Sequence, residues 1–305
     1  MYFEKTLGLI AAPPTGFLED GSVDFALVAP LAEFLGAQGV SGVFVNGTTG
    51  EGASLTSGER EGAAEAWRSF LPVGMRLFVH VGHNSLGESR RLASHAEQIG
   101  ADAVGMMVPG FFRPVGMEAL VDACAEVAAA APSLPFYLYH MPSMSGCMLS
   151  MAPFLRAAEA RIPNLAGVKF TYEALNDYQE CLSMRDGRFD ILWGRDEMLL
   201  GALATGARGM VGSTYNVAAP LYLALIKAFD AGDLVRARAL QLQAVGMIND
   251  MVATGHFFAA LKSMLRDRGL PISPRVRSPL PRVDAAMRIP AVPDGKAVKS
   301  DCMMV

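Results

Sequence analysis

Lys169 has the most chemistry to offer in this chain. It closes the apolar run Leu165-Ala166-Gly167-Val168, and a lysine carried by such a run into a protein interior is expensive to keep charged, so its pKa falls. An unperturbed lysine titrates near 10.4, which leaves fewer than about one amine in a thousand neutral at pH 7. A downward shift of roughly three units, worth about 4 kcal/mol, makes the amine a usable nucleophile. Such an amine condenses with a ketone, and the resulting iminium accepts the electrons of a breaking C–C bond. The plainer alternative is a strand-end lysine that snorkels to water. Tyr139, at the end of Phe136-Tyr137-Leu138-Tyr139, offers proton transfer. Aromatics in strands are usually core, and only the strand-end place favours Tyr139 over Tyr137. Gly47-Thr48-Thr49-Gly50 combines two hydroxyls with backbone N–H groups suited to a carboxylate, or is an ordinary turn. It lacks the Gly-Lys-Ser/Thr ending of a P-loop. Asp196-Glu197 is suited to sugar hydroxyls, or simply favours the N-terminus of the following helix through the helix dipole.

These residues need elements to carry them. Short apolar runs at Leu7–Ala12, Gly42–Asn46, Arg76–Val81, Ala103–Val108, Pro135–Tyr139, Leu165–Lys169, Phe189–Trp193 and Gly209–Gly212 alternate with longer amphipathic segments. The runs are apolar on both faces, as strands covered on both sides are. Thr56 with Glu59 forms a capping-box pattern that opens a helix over Ser57–Leu71, and Ser85 with Glu88 opens the next. Eight strands, each followed by a helix, predict an α/β fold of the (β/α)8 barrel type. The expected organisation is a barrel over residues 1–230, a small C-terminal helical appendage over 231–290 (helices Asp233–Ala253 and Gly255–Arg268) and a tail over 291–305. An open doubly wound sheet would carry G-x-G-x-x-G after its first strand, where this chain reads Ala12-Pro13-Pro14-Thr15-Gly16. Barrel enzymes place their sites at the carboxyl ends of the strands. That rule gathers Thr48, Thr49, Tyr139, Lys169, Thr171, Gly194, Asp196, Glu197 and Ser213 on one rim.

Composition narrows the remaining classes. The 305 residues are 51% hydrophobic with a net charge of -4, which excludes a disordered chain and gives no electrostatic footprint for nucleic acid. Cys124, Cys147, Cys181 and Cys302 form no C-x-x-C pair, and few cysteines in a long chain fit a reducing compartment, hence the cytoplasm. His80 and His83 have no flanking Cys or carboxylate to complete a metal set. Val127–Leu155 carries no Asp, Glu, Lys or Arg, which is long enough to span a bilayer, but Pro132, Pro135, Pro142 and Pro153 interrupt it. It reads instead as a helix end, a buried strand and the start of the next helix, so no membrane is expected. The stretch Met1–Ala12 is too weakly apolar for a signal peptide. Cys302-Met303-Met304-Val305 has the outline of a prenylation box, or is a tail with a chance cysteine.

Taken together, Phe44-Val45-Asn46-Gly47-Thr48-Thr49-Gly50-Glu51-Gly52, Tyr139-His140-Met141-Pro142 and Gly167-Val168-Lys169-Phe170 resemble, in order, the Gly-Ser/Thr-Thr-Gly-Glu loop, tyrosine strand and Schiff-base lysine strand of the N-acetylneuraminate lyase and dihydrodipicolinate synthase family. These are class I pyruvate aldolases on a (β/α)8 barrel. The resemblance runs from about Leu7 to Ala219 and weakens in the C-terminal helices. It implies that Lys169 forms the imine and Tyr139 transfers protons. It also implies that Thr48 and Thr49 bind a carboxylate, while Thr171, Gly194, Asp196, Glu197 and Ser213 bind the rest of a 2-keto sugar acid. No metal or organic cofactor is implied, because the iminium is the electron sink. Trp193-Gly194-Arg195-Asp196-Glu197 and Gly212-Ser213-Thr214-Tyr215-Asn216 lean to the N-acetylneuraminate lyase branch, whose members release pyruvate and N-acetylmannosamine. The synthase branch has an arginine five residues after its tyrosine, where this chain has Met144. The alternatives are an aldolase for 2-keto-3-deoxy sugar acids and a sugar-acid-binding protein without turnover. The resemblance further implies a homotetramer. Many members place a tyrosine hydroxyl from a neighbouring subunit near the site; the matching segment here, Pro109-Gly110-Phe111-Phe112, has none.

Overall fold

The apolar runs become strands because residues apolar on both faces need cover on both, with helices outside and each other's side chains inside. The computed structural model describes residues 3–281, 289–293 and 295. Its strands are β1 (Gly8–Ala11), β2 (Gly42–Val45), β3 (Arg76–His80), β4 (Ala103–Met106), β5 (Phe136–His140), β6 (Leu165–Phe170), β7 (Asp190–Trp193) and β8 (Gly209–Gly212). All neighbours pair in parallel and β1 closes on β8, giving one closed barrel in chain order. The helices are α1 (Val28–Ala37), α2 (Ser57–Phe70), α3 (Leu86–Gln98), α4 (Met117–Ala128), α5 (Pro142–Ser145), α6 (Met151–Ala158), α7 (Leu175–Ser183), α8 (Leu199–Thr205), α9 (Tyr215–Asp230), α10 (Leu234–Ala253) and α11 (Phe257–Asp267). This is the expected (β/α)8 barrel with C-terminal helices: α10 and α11 both pack on α9.

Local chemistry sets the helix starts. Thr56 and Glu59 form the complete capping box ahead of α2. Ahead of α3 the box is only half made: Ser85 accepts from the Glu88 N–H, while the Glu88 carboxylate turns to the Ser57 hydroxyl instead. The uncharged stretch from Val127 resolves into the end of α4, β5, α5 and the start of α6. Among the described residues no single helix is long and apolar enough to cross a membrane. Cys302 lies outside the described residues.

The core has two shells. The larger fills the space between strands and helices. The smaller fills the lumen and includes Ile10, Phe44, Phe78, Tyr137, Leu192 and Val211. At the amino end of the barrel, Asp190 Oδ2 accepts from the Tyr137 hydroxyl at 2.8 Å and the Thr6 N–H at 3.0 Å. That satisfied network seals one end and leaves the chemistry to the other.

Candidate active site

The register of β5 on β6 sets Tyr139 opposite Lys169. Both side chains enter the lumen, and Lys169 is only 4% exposed. Its Nζ lies 3.8 Å from the Tyr139 ring centroid and 4.1 Å from that of Phe44. Loss of water among these rings brings the lysine pKa down to about 7, with the Asp196 charge pulling only partly the other way. Holding an amine that is about half neutral at pH 7 there costs about 4–5 kcal/mol relative to water. The side chain points into the lumen and does not snorkel.

The Tyr139 hydroxyl is 3.2 Å from Thr48 Oγ1 and 3.1 Å from Met141 Sδ. Burial pushes its pKa up against the pull of the Thr48 hydroxyl, so it is a protonated phenol at neutral pH. Tyr137, two residues earlier on the same face, has its hydroxyl committed to Asp190 at the sealed end. Position along the strand therefore separates the two tyrosines. Thr49 Oγ1 reaches across to Ser213 Oγ at 2.7 Å, which ties the loop after β2 to the end of β8. The structure thus brings Ser213 to the threonine pair.

That loop is bounded by two non-glycine residues in the left-handed region, Asn46 (φ 59°) and Glu51 (φ 54°). Each such conformation costs on the order of 1–3 kcal/mol and persists only where the surroundings enforce it. Gly52 follows, where a Cβ would collide with the Asn46 carbonyl; the loop can fold back on itself only with glycine there.

Asp196 is 6% exposed. Its Oδ2 accepts from the Thr214 N–H at 2.9 Å and from the Thr214 hydroxyl at 2.6 Å, while Oδ1 has no partner at hydrogen-bonding geometry. Burial raises its pKa to about 6 despite the Thr214 bonds, which lower it. Thr171 Oγ1 is likewise buried with no partner at hydrogen-bonding geometry, and it faces the Tyr139 hydroxyl, whose pKa it pulls downward. Gly194 packs against Thr171 so closely that a Cβ would strike the threonine hydroxyl. Glu197 is different: its half-buried carboxylate pairs with Arg195 at 3.0 Å, and Arg195 also pairs with Glu173. Asp196 and Glu197, alike in sequence, are therefore separated by the fold into a buried carboxylate tied to Thr214 and a member of a rim ion-pair cluster.

A profile of the Dihydrodipicolinate synthetase family matches residues 5–292. The chain belongs to that family. The N-acetylneuraminate lyase of Mus musculus is 39% identical over 278 residues, covering 89% of this chain and 86% of the relative. Among solved structures, the Proteus mirabilis N-acetylneuraminate lyase superposes with a TM-score of 0.89 at 40% identity, covering 92% of this chain and 95% of that one. A catalytic lysine mutant of the Ruminococcus gnavus sialic acid aldolase gives a TM-score of 0.88 at 28% identity, covering 93% of each chain. The three segments that carry the resemblance to the family converge here on one lumen.

Two residues at this family site carry roles that the sequence does not assign them. Phe44 forms one wall of the lysine pocket, yet β2 is apolar on both faces, so no alternation marks which side chains point inward. His80, weighed only as a metal ligand, ends β3 edge-on to the Tyr139 ring at 5.8 Å. Its Nε2 accepts the Met107 N–H at 3.2 Å, so the proton sits on Nδ1, which donates to the Asn46 carbonyl at 3.1 Å. Burial and the Arg60 charge push its pKa well below the usual histidine value, which keeps it neutral. Its place at the carboxyl end of a strand was the available signal. Among the described residues no group of three or more His, Cys, Asp or Glu side chains could hold a metal ion.

Proposed function

We propose that this family member is a Schiff-base-forming aldolase that cleaves N-acetylneuraminate to N-acetylmannosamine and pyruvate. The observation that carries this reading is Lys169, an amine with a pKa of about 7 beside the Tyr139 phenol at the open end of the barrel. The lyases named above, similar over most of their length, support the choice of sugar acid.

The neutral Lys169 amine adds to the C2 carbonyl carbon of the open-chain substrate. Tyr139 protonates the departing oxygen, and one water is lost as the iminium forms. Thr48 and Thr49 hold the substrate carboxylate through hydroxyl and N–H donors, which fixes C2 against the amine. Tyr139, with help from the substrate carboxylate, then takes the proton of the C4 hydroxyl. The C3–C4 electron pair moves into the iminium, N-acetylmannosamine leaves as an aldehyde, and the enamine of pyruvate remains. Protonation at C3 and addition of one water release pyruvate and restore the amine. The buried Asp196 carboxylate and Thr171 hydroxyl are the polar groups on this side suited to sugar hydroxyls, which favours the long substrate. Gly194 makes room beside Thr171, Glu197 orders the rim through Arg195, and Ser213 braces the carboxylate loop through Thr49. The test is release of pyruvate and N-acetylmannosamine by the wild type and its loss in Lys169→Ala.

A second reading, an aldolase for 2-keto-3-deoxy sugar acids, shares Lys169 and the carboxylate loop and differs only on the Asp196 side. Turnover of such acids without turnover of N-acetylneuraminate would establish it. Dihydrodipicolinate synthesis is disfavoured because Met144, 58% exposed, supplies no cation for a second carboxylate.

The same reading makes the protein a homotetramer. Phe111, Phe112 and Val115 are 78%, 84% and 92% exposed, and their loop adjoins the Met144–Gly146 turn, where Met144 and Met148 are also exposed. The paired Phe111 and Phe112 rings and these exposed neighbours give the apolar surface that a subunit interface needs. The cytoplasm is its compartment, where the buried free thiols Cys124, Cys147 and Cys181 stay reduced.

A further inference from the structure

The loop that carries Thr48 and Thr49 is held at its two ends by different parts of the molecule. At the first end the barrel itself provides the grip: Asn46 Nδ2 donates to the Arg60 carbonyl at 2.8 Å, and the Asn46 carbonyl accepts from His80. At the second end the grip comes from more than two hundred residues downstream. Glu51 Oε1 receives Lys262 Nζ of α11 at 2.5 Å, with both side chains at 0% exposure. Glu51 Oε2 receives the Arg277 N–H at 2.9 Å. Lys262 also donates to the Arg275 carbonyl at 2.7 Å and lies 4.5 Å from the Phe17 ring centroid. Arg277 is anchored in turn by Glu59 and by the Ser54 and Gly21 carbonyls.

A buried ion pair is a weak device for stability, since an apolar pair of similar volume often does as well. What this one supplies is orientation. Two donors on two carboxylate oxygens fix the rotation of Glu51, a residue already in the left-handed region. The Glu51 N–H donates to the Thr48 carbonyl at 3.1 Å, and the Thr48 hydroxyl meets that of Tyr139 at 3.2 Å. The contacts therefore form one unbroken line from the C-terminal appendage to the proton-transfer group.

We infer that Lys262 and Arg277 are positioning residues that act through Glu51 to set the substrate-carboxylate loop, so that the C-terminal appendage governs the affinity of the site for the keto-acid carboxylate. The inference rests on the aldolase reading, in which Thr48 and Thr49 take that carboxylate.

The test is borohydride trapping of the full-length protein over a range of pyruvate concentrations, with unfolding free energy measured alongside. Lys262→Met should raise half-saturating pyruvate roughly tenfold while the trapping rate at saturation stays within about twofold, because the lysine pocket is intact and only the carboxylate grip is loosened. Lys262→Met leaves a buried carboxylate unpaired and is destabilised; the double variant Lys262→Met with Glu51→Gln removes both charges and recovers stability. It should nevertheless keep the raised half-saturation. If Lys262→Met does not fold, the double variant decides alone. An unchanged half-saturation in a folded variant overturns the inference and leaves the aldolase reading standing. So does a half-saturation that returns to the wild-type value together with stability. Absence of trapping in the wild type is the separate failure of the aldolase reading, and the inference falls with it.

Discussion

At the scale of the residue, the site depends on the solvation of one amine. Nothing near Lys169 is positively charged enough to depress its pKa by repulsion; loss of water among Phe44 and Tyr139 does the work, and Asp196 opposes it. The folded pKa lies below the unfolded one, so the folded chain loses stability as pH falls from the ordinary lysine range through about 7. Replacing the side chain removes that cost. Lys169→Met should raise the unfolding free energy by about 4–5 kcal/mol at pH 7, an advantage that shrinks as pH rises toward the ordinary lysine value. Denaturant titrations at several pH values check both the size and the trend. Tyr139→Phe should leave the fold intact and lower kcat by roughly 10²–10⁴, the range for losing a positioned proton donor. Steady-state kinetics on the purified variant measure it, and an unaffected kcat would remove Tyr139 from the mechanism.

At the scale of the element, the strands were legible because runs apolar on both faces, spaced by capped amphipathic segments, have few other solutions. Their inward and outward faces were not. The register between β5 and β6 shifts between Phe136 and Tyr137, so counting alternate residues from one strand to the next does not carry across the barrel. Phe44 received no role because β2 is buried on both faces, and Tyr137 and Tyr139, which share the inward face of β5, could be told apart only by place along the strand. Helix caps show the same limit. The local Thr56–Glu59 box could be read from spacing, whereas α6 is capped from outside itself: Asp177 on α7 accepts the Met151 N–H at 2.7 Å and the Ala152 N–H at 3.1 Å. No sequence rule joins residues that far apart. Asp177→Ala should cost about 2–3 kcal/mol by stranding two buried donors, against about 1 kcal/mol for Thr56→Ala. Chemical denaturation of the two variants gives the comparison, and equal losses would contradict this account of the α6 cap.

At the scale of the whole molecule, the barrel gathers groups from five of its strands, and motifs far apart in the chain were assigned to one rim only because the fold class was legible first. The grip of Lys262 and Arg277 on Glu51 was not legible, since neither belongs to any recognisable motif. The exposed Phe111–Phe112 patch makes assembly testable: the wild type should sediment as a tetramer, and Phe112→Glu should shift it to smaller species at the same concentration. A monomeric wild type would contradict the assembly. The central claim, a neutral Lys169 amine that bonds to a keto acid, is tested most directly by reducing the protein with borohydride in the presence of pyruvate and locating the adduct by mass spectrometry. The wild type should gain one pyruvate less one water plus two hydrogens, on Lys169, with a trapping rate that climbs as pH passes about 7 and then levels off. The same mass gain in Lys169→Ala, or none in the wild type, would contradict it.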